Sequence, residues 1–243
     1  MDGVTQLKGE LLYEGKAKQV FQAEGNIDQL VLSYKNDATA FNGEKKAVFS
    51  GKGKYNNLIS AKVFAYLRDK GVASHFVRSL NDTEQLVVKT DIIPIEVVVR
   101  NLAAGSITRR LGIEEKTKFT PPLVELFYKN DELGDPLIND EHALLLADVQ
   151  SEELEAIKAM ALEVNQHLQA FFESINLTLA DFKLEFGRNM AGDILLSDEV
   201  SPDTCRLWDK DSGAKMDKDV FREDLGDLLH VYDSILQRLE AVV

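Results

Sequence analysis

Short runs in which apolar and polar residues alternate are frequent in the first hundred positions, and they predict a β-rich region. A period of two is typical of strands with one buried face. The predicted strands are Leu11 to Tyr13, Ala17 to Phe21, Leu30 to Tyr34, Leu86 to Lys89 and Ile95 to Arg100. One helix is expected among them, from about Asn57 to Asp69, because its apolar residues recur with helical spacing and Gly71 supplies a stop signal.

Two helical patterns and two further strands fill much of the remaining chain. The first helix is predicted to begin near Ser151 as the N-cap. Its apolar stripe consists of Leu154, Ile157, Ala161, Val164, Leu168 and Phe171. Strands are expected at Phe182 to Phe186 and at Ile194 to Leu196, and one last amphipathic helix is expected from Phe221 to Leu239. Because no Ser/Pro-rich linker divides the chain, we expect one body with two lobes.

The acidic balance of the chain limits its partners. It has 28 Lys and Arg against 41 Asp and Glu, which gives a formal net charge of −13. Nucleic acid and anionic membranes both attract clustered positive charge, so neither is expected as a partner. Cys205 is the single cysteine, which excludes an intramolecular disulfide, and no apolar run approaches the roughly 20 residues of a membrane span. A cytoplasmic protein is expected.

The segment Asp181–Gly187 carries the clearest chemical signal. Alternate side chains of a strand share a face, so Asp181, Lys183 and Glu185 are expected to project together, opposite the apolar side chains. This charged face is either part of a functional site or the solvated, salt-bridged face of an edge strand.

A second carboxylate is expected near Glu185. If the following strand returns antiparallel with Phe186 opposite Leu195 or nearby, Asp198 lies roughly 7–8 Å from Glu185 on the same face. Two carboxylates at that distance suit Mg²⁺, which takes one or two protein carboxylates together with phosphate oxygens and water.

Two lysines follow a glycine near the N-terminus. Gly15 permits a tight turn, and Lys16 and Lys18 are expected on one face of the strand that follows it. Two ammonium groups beside such a turn can hold a polyphosphate. Two lysines exposed to solvent are the alternative interpretation.

Arg100, at the end of a predicted strand, is followed by small residues and Ser106. Ser106 is expected to cap a short helix, whose free N–H groups favour an anion, so this segment predicts a monophosphate pocket. A structural ion pair of Arg100 is the alternative. Arg206 lies shortly after Asp198 in the sequence, either near the proposed metal face or in a capped loop anchored by Trp208.

A basic, glycine-containing segment from Asn42 to Lys54 stands out in this acidic chain. It is expected to be either a mobile lid that gathers anions or a solvated run of charges.

Four motifs in order resemble the bacterial SAICAR synthetase family, which is phosphoribosylaminoimidazole-succinocarboxamide synthase of purine biosynthesis. They are Glu14-Gly15-Lys16-Ala17-Lys18, Arg100-Asn101 with Ala103-Ala104-Gly105-Ser106, Asp181-Phe182-Lys183-Leu184-Glu185-Phe186-Gly187, and Asp198-Glu199 with Ser201-Pro202-Asp203 before Arg206-Leu207-Trp208. The resemblance extends from about Leu11 to Leu239.

The family's fold and activity become expectations for this chain. The resemblance implies an α+β, two-lobed architecture related to ATP-grasp enzymes, with antiparallel sheets, flanking helices and ATP in the cleft between the lobes. The approximate lobes are a β-rich one at 1–92 and an α+β one at 93–243. The implied reaction joins the carboxylate of carboxyaminoimidazole ribotide to the amino group of L-aspartate, with ATP as co-substrate and Mg²⁺ as cofactor. A homodimer is a further expectation.

The resemblance also implies roles for individual residues. The implied ATP contacts are Lys16, Lys18, Val20, Leu30, Ile92 and Lys129, with Lys16 and Lys18 on the phosphates and Val20, Leu30 and Ile92 around the adenine. The implied Mg²⁺ ligands, Glu185 and Asp198, also belong to the ATP site. The implied ribonucleotide contacts are Arg100, Ser106, Arg206 and Asp135. The implied catalytic positions, near the reacting carboxylate and phosphates, are Lys183, Asp181 and Arg206.

Two positions depart from the family pattern. Other members carry an aspartate where this chain has Asn42, and some carry an arginine where it has Leu102. No role is assigned to either position.

Two other functions are compatible with these motifs. A small-molecule kinase would use the same lysines and acids, although the chain lacks a His-Arg-Asp catalytic loop. A regulatory module that binds nucleotide without consuming it is the other alternative.

Overall fold

The N-terminal part of the chain forms an antiparallel sheet of five strands in the order β1-β2-β3-β7-β6. In the computed structural model, which describes residues 8–40 and 44–242, the elements of this part are β1 (Lys8–Glu14), β2 (Lys18–Ala23), β3 (Gln29–Tyr34), β4 (Asp37–Ala40), β5 (Lys45–Val48), α1 (Lys52–Asp69), β6 (Phe76–Asn81) and β7 (Glu84–Val88). The sequence predicted β1, β2, β3 and β7. It missed the β4–β5 hairpin and β6, an edge strand whose Arg78 and Ser79 are exposed and which therefore has a weak apolar pattern.

The C-terminal part contains the second antiparallel sheet. Its strands are β8 (Asp91–Leu102), β9 (Lys118–Tyr128), β10 (Leu137–Ile138), β11 (Leu177–Arg188), β12 (Ile194–Ser197) and β13 (Cys205–Asp209), in the order β10-β9-β8-β11-β12, with β13 also paired to β11. The sequence missed β9 because Pro121 and Pro122 interrupt it. These prolines are tolerated because β10 pairs only with Leu126 and Phe127, so the proline end of β9 is an edge.

Helices cover the second sheet and close the fold. They are α2 (Ser106–Leu111), α3 (Asp140–Leu146), α4 (Ser151–Glu173), α5 (Asp219–Arg222) and α6 (Leu228–Val242). The α4 prediction is confirmed, including its buried stripe, although the N-cap is Gln150, whose side chain and that of Glu153 form a capping box. In the described residues, no helix is long and apolar enough to cross a bilayer.

The single C-terminal helix predicted from the sequence is wrong, because α5 and α6 are separate. Between them the backbone has positive φ at Asp224 (54°) and Gly226 (149°), which a continuous helix cannot contain. Leu225, placed on the apolar stripe by its spacing, is 55% exposed.

The main core lies between α4 and one face of the second sheet. Phe182, Leu184 and Phe186 of β11 point into it and are each 1% exposed. Since neighbouring side chains of a strand alternate, the charged residues of β11 point away from the core. They line a cleft of about 950 Å³ whose walls come from both sheets.

Candidate active site

All site residues predicted from the sequence line this one cleft. The first sheet contributes the β1–β2 turn, β2, β3 and β7. The second contributes β8, β11, β13 and the segments that follow β12 and β13. The cleft therefore brings together motifs from distant parts of the chain, as the predicted site requires.

The charged face of β11 is confirmed, but it is not solvated. Lys183 Nζ lies 2.5 Å from Glu185 Oε1 and 3.1 Å from Glu96 Oε1. Asp181 and Glu185 are 3% and 4% exposed, which excludes the interpretation of β11 as an edge strand with a solvated face. Burial lowers the pKa of Lys183, but Glu185, Glu96 and Asp198 outweigh it and raise the pKa well above its ordinary value.

The predicted pair of carboxylates also meets in the cleft. Phe186 pairs with Leu196 rather than Leu195, and Glu185 pairs with Ser197. Asp198 follows directly with φ 59°, a left-handed conformation that aspartate tolerates. Lys183 Nζ, which is bonded to Glu185, also lies 3.8 Å from Asp198 Oδ2, so one ammonium links the two acids.

These two acids fit Mg²⁺ better than a cation that needs a full cage of protein ligands. Among the described residues, no group of three or more His, Cys, Asp or Glu side chains is arranged to hold a metal. Mg²⁺ needs only one or two carboxylates when phosphate oxygens and water complete its shell. Burial raises the pKa of Asp198, but Lys18 and Lys183 outweigh it, so the pKa is strongly lowered and this acid is a carboxylate at neutral pH.

Lys18 joins the two sheets at this point. Its Nζ lies 2.5 Å from Asp198 Oδ1 and 3.0 Å from Glu199 Oε1. Burial lowers the pKa of Lys18, but these acids outweigh it and raise the pKa above the ordinary lysine value. Lys18 is therefore a permanent cation in the cleft.

Lys16 is placed differently from Lys18, contrary to the prediction of one shared strand face. It lies in the turn before β2, and its Nζ contacts Asp131 Oδ1 at 2.7 Å on the exposed side of the cleft. The two lysines diverge because β2 begins only at Lys18.

Apolar side chains line the cleft next to the lysines. Val20, Leu30 and Ile92 are all there, together with Leu32 and Val87. Ile92 is 41% exposed, so an apolar surface is open to a ligand beside the cations. This arrangement suits the flat face of a purine base.

The Arg100 end of the cleft is a buried ion-pair network. Arg100 contacts Asp181 Oδ2 at 2.5 Å and Glu125 Oε2 at 2.7 Å, and its Nη2 donates to Ser106 Oγ at 3.3 Å. Arg206 Nη1 reaches the same Asp181 at 3.0 Å. The expected structural ion pair of Arg100 is thus present within the expected phosphate pocket.

A glycine makes room for this network. Ser106 is the first residue of α2, and the N-cap is Gly105, so the expected cap at Ser106 is wrong. Gly105 has φ 62°, and a Cβ there would lie 2.8 Å from Nη1 of Arg206 and closer still to the rest of its guanidinium. Only glycine fits this backbone conformation beside the arginine.

Lys129 and Asp135 make different kinds of contact in the cleft. Lys129 Nζ lies 2.9 Å from Glu185 Oε1, which places a third lysine beside the carboxylate pair. Asp135 accepts the backbone N–H of Asn130 at 2.9 Å and so holds the turn that follows β9. Both side chains line the cleft.

The basic segment before α1 is solvated only in part, because Lys46 and Lys54 are exposed whereas Lys52 is buried, and the mobile lid stays a prediction. Lys45–Val48 forms β5, and α1 begins at Lys52, five residues before the predicted start. Lys52 is fully buried, and its Nζ lies 2.6 Å from Asp203 Oδ2. Asn42 lies outside the described residues.

Sequence reasoning missed several cleft residues. Glu96 was detectable, because it shares a face of β8 with Arg100 by period two. Glu199 and Lys218 gave no local signal, since their partners Lys18 and Asp203 are distant in sequence, and Arg222 lies on the short helix α5, which the sequence did not separate from α6. His75 also lines the cleft, and burial lowers its pKa to about 4, so it is neutral at physiological pH.

Cations facing a pair of carboxylates beside an open apolar surface are typical of enzymes that bind ATP and transfer its phosphoryl group. Comparison with known proteins identifies the family. The model of the SAICAR synthetase family matches residues 11–239, and the chain belongs to this family.

Relatives match over nearly the whole chain. The phosphoribosylaminoimidazole-succinocarboxamide synthase of Oceanobacillus iheyensis is 64% identical over 98% of this chain and 100% of its own length. A solved SAICAR synthetase in complex with ADP has a TM-score of 0.91 at 46% identity, covering 95% of this chain and 97% of that one. The synthase from Ehrlichia chaffeensis has a TM-score of 0.92 at 44% identity, covering 96% and 100%. The predicted family and fold class are confirmed.

Proposed function

We propose that this chain is the ATP-dependent ligase that joins the carboxylate of carboxyaminoimidazole ribotide to the amino group of L-aspartate, releasing ADP and phosphate. The observation that carries this proposal is the distribution of charge. A chain with 28 basic and 41 acidic residues lines one cleft with eight lysines and arginines, Lys18, Lys183, Arg100 and Arg206 among them, against nine acids. All three substrates are anionic, and an acidic protein must concentrate its cations where it binds them.

The first step is activation of the ribotide carboxylate. A carboxylate is a poor electrophile, so transfer of the γ-phosphoryl group to it would form an acyl phosphate with a good leaving group. Lys18 and Lys183 are held as cations, and in this step they neutralise charge on the transferred group. Mg²⁺, held by Glu185 and Asp198, would polarise the phosphoryl oxygens when bound.

In the second step the neutral amine of aspartate attacks the acyl carbon, phosphate leaves with the C–O bond electrons, and the nitrogen releases one proton as the amide forms. Lys183 lies on the charged face of β11 but keeps its proton, because its pKa is raised well above the ordinary value. It is therefore an electrostatic group in this mechanism and does not accept the amine proton.

The two ends of the cleft suit different ligands. Lys16, Lys18, Lys129, Glu185 and Asp198 would hold the ATP phosphates and metal, beside the apolar surface for adenine. Arg100, Ser106, Arg206 and Asp135 would contact the ribonucleotide, with Asp181 and Lys183 near the reacting groups.

The expected location and binding partners of the protein follow from its charge and from the proposed substrates. Cytoplasmic small molecules would be its partners, and the acidic surface disfavours nucleic acid and anionic membranes. Lobes at about 1–92 and 93–243 and assembly as a homodimer remain predictions.

The test is an ADP-release assay with the two co-substrates added singly and together. The ligase should release ADP rapidly only when both carboxyaminoimidazole ribotide and L-aspartate are present. A kinase would release ADP with one of them alone, and a regulatory module would bind ATP without consuming it. Either result would reject the ligase.

A further inference from the structure

A pair of buried amides lies behind the Arg100 end of the cleft, between β8 and α4. The side-chain N–H of Asn101 in β8 donates to Asn165 Oδ1 at 2.8 Å, and the side-chain N–H of Asn165 in α4 donates to Asn101 Oδ1 at 2.9 Å. The two residues are 8% and 1% exposed. Neither is among the described residues that line the cleft, so the pair does not contact a ligand bound there.

An amide is an unusual side chain at the position of Asn165. Its neighbours Val164 and Leu168 on α4 are fully buried in the apolar core. An unpaired amide in such surroundings costs free energy, whereas two apolar side chains could pack there without any hydrogen bond. A reciprocal pair does what apolar packing does not, because each amide is satisfied only in one orientation toward the other. The pair therefore fixes one geometry between α4 and β8.

The pair is located where β8 departs from regular strand pairing. The ladder between β8 and β11 ends at Arg100 opposite Asp181, and the register between β8 and β9 shifts directly after Arg100. Beyond the end of the ladder, the side chain of Asn101 donates to the carbonyl oxygen of Leu179 in β11 at 3.3 Å. This amide thus connects β8 to β11 where the backbone ladder does not, and Asn165 holds the amide in place.

The departure from regular pairing matters because Arg100 is the adjacent residue. Shifts of register are common next to active sites, where they change the direction in which a side chain points. Arg100 points into the cleft, where it contacts Asp181, Glu125 and Ser106. A binding group misplaced by about 1 Å can cost on the order of 100-fold in rate, so the backbone that carries Arg100 needs a fixed position.

We propose that Asn165 is a positioning residue for the ribonucleotide site. Through Asn101 it holds the irregular end of β8, and this keeps the guanidinium of Arg100 aimed at the phosphate. The inference rests on the proposed ligase function, which places the ribonucleotide phosphate at Arg100. It assigns to a side chain of the core, outside the cleft, an effect on one substrate only.

Calorimetric titration of Asn165→Leu with carboxyaminoimidazole ribotide and with ATP tests the proposal. Leucine has a similar size but forms no hydrogen bond, so Asn101 loses its partner in α4. The Kd for the ribotide should rise about 3- to 10-fold, within the range expected for one neutral hydrogen bond. The Kd for ATP should change less than about twofold, because ATP is expected at the other end of the cleft.

Val164→Ala is the matched control for a general loss of stability. Val164 is the fully buried neighbour of Asn165 on α4, and its side chain forms no hydrogen bond. Its truncation should lower the melting temperature and leave both Kd values within about twofold of the wild type. An equal rise of the ribotide Kd in Val164→Ala would show that any weakening of α4 has this effect, and it would overturn the proposal.

Combining Asn165→Leu with Arg100→Met tests whether Asn165 acts through Arg100. If it does, the double variant should bind the ribotide about as weakly as Arg100→Met alone, because the side chain that Asn165 positions is already absent. Independent effects would multiply, and the double variant would then bind about 3- to 10-fold more weakly than Arg100→Met. That result would overturn the proposal.

The remaining outcomes also decide the question. Unchanged ribotide affinity in Asn165→Leu, or an equal loss for ATP and ribotide, would make the pair purely structural. If Asn165→Leu does not fold, Asn101→Leu with Asn165→Leu replaces it, because exchanging both partners leaves neither amide unpaired. This double variant should bind ATP normally and the ribotide weakly, and normal ribotide binding would overturn the proposal.

The ligase function fails by a different result, because the titrations need no turnover. Wild-type protein that binds the ribotide but releases no ADP with both co-substrates would refute the ligase alone. Wild-type protein that does not bind the ribotide would refute the ligase and the role of Asn165 together.

Discussion

The two charged ends of the cleft are built in different ways. At the Lys18 end, ion pairs cross between the sheets, because Lys18 belongs to β2 and its partners Asp198 and Glu199 follow β12. At the Arg100 end, the pairs that Arg100 and Arg206 make with Asp181 stay within the second sheet, since these residues lie on the neighbouring strands β8, β11 and β13.

This difference has a functional meaning. Backbone hydrogen bonds fix the positions of adjacent strands, so we expect the Arg100 end to be preformed. The Lys18 end depends on how the two sheets approach each other. A nucleotide bound there would contact both sheets, while a ribonucleotide at the other end would contact mainly one.

The largest effect is expected from removing the acids that face the lysines. Glu185→Gln and Asp198→Asn should each abolish turnover while the fold remains, because each removes a negative charge from the expected metal site. Retention of more than about a tenth of the wild-type kcat at saturating Mg²⁺, a loss below roughly 1.4 kcal/mol, would exclude the metal role. Circular dichroism of both variants checks the fold.

Changes at the Arg100 end should affect one substrate only. Arg100→Met should weaken ribonucleotide binding about 10- to 150-fold, because a charge-assisted hydrogen bond contributes roughly 1.5–3 kcal/mol. Arg100→Lys should rescue binding only in part, since lysine lacks the planar fork of arginine. The measurement is the KM of each substrate. An equal rise for all three, or a melting temperature several degrees lower with unchanged KM, would make Arg100 structural.

The two N-terminal lysines should differ from each other. Lys18→Met should raise the KM for ATP and lower kcat, with little effect on the ribonucleotide, because buried Lys18 faces Asp198 and Glu199. Lys16→Met should have a smaller effect, since Lys16 is half exposed and pairs with an exposed aspartate. Calorimetric titration with nucleotide measures both. Unchanged ATP affinity in Lys18→Met would exclude the phosphate contact.

The last expected effect is on stability rather than activity, and it concerns pH at the Lys18 end. His75 has a folded-state pKa lowered from 6.5 to about 4, first by burial. The unfolded chain therefore binds a proton on the His75 imidazole more tightly than the folded chain does. The free energy of unfolding should be full above about pH 6.5 and fall as the pH drops toward 4, by at most about 1.4 kcal/mol per pH unit. Denaturant unfolding of wild type and His75→Gln over this range measures it. Identical slopes for the two proteins would contradict the prediction.

Local patterns predicted those strands and helices in which apolar residues recur with a short period. The alternation in β11 placed Asp181, Lys183 and Glu185 on one face, and the stripe of α4 placed its core residues correctly. The break between α5 and α6 was not detectable in this way, because the apolar spacing continues through Leu225 although the backbone turns.

Long-range pairing explains the other omissions. Lys18 and Asp198 are 180 residues apart, and Lys52 and Asp203 are 151 apart. The sequence pattern predicts that a lysine such as Lys52, in a basic segment that contains glycines, is exposed. Only the folded structure shows that Lys52 is buried in an ion pair with a distant aspartate. Family resemblance placed the site residues in one cleft, but not their ion pairs.

The central claim is that ATP activates the ribotide carboxylate. The most direct test follows the transfer of ¹⁸O from this carboxylate to the released phosphate. Carboxyaminoimidazole ribotide labelled with ¹⁸O in its carboxylate would be converted with ATP and L-aspartate, and the released phosphate analysed by mass spectrometry. The acyl-phosphate route predicts one carboxylate ¹⁸O in each phosphate formed. Amide product accompanied by unlabelled phosphate would contradict it.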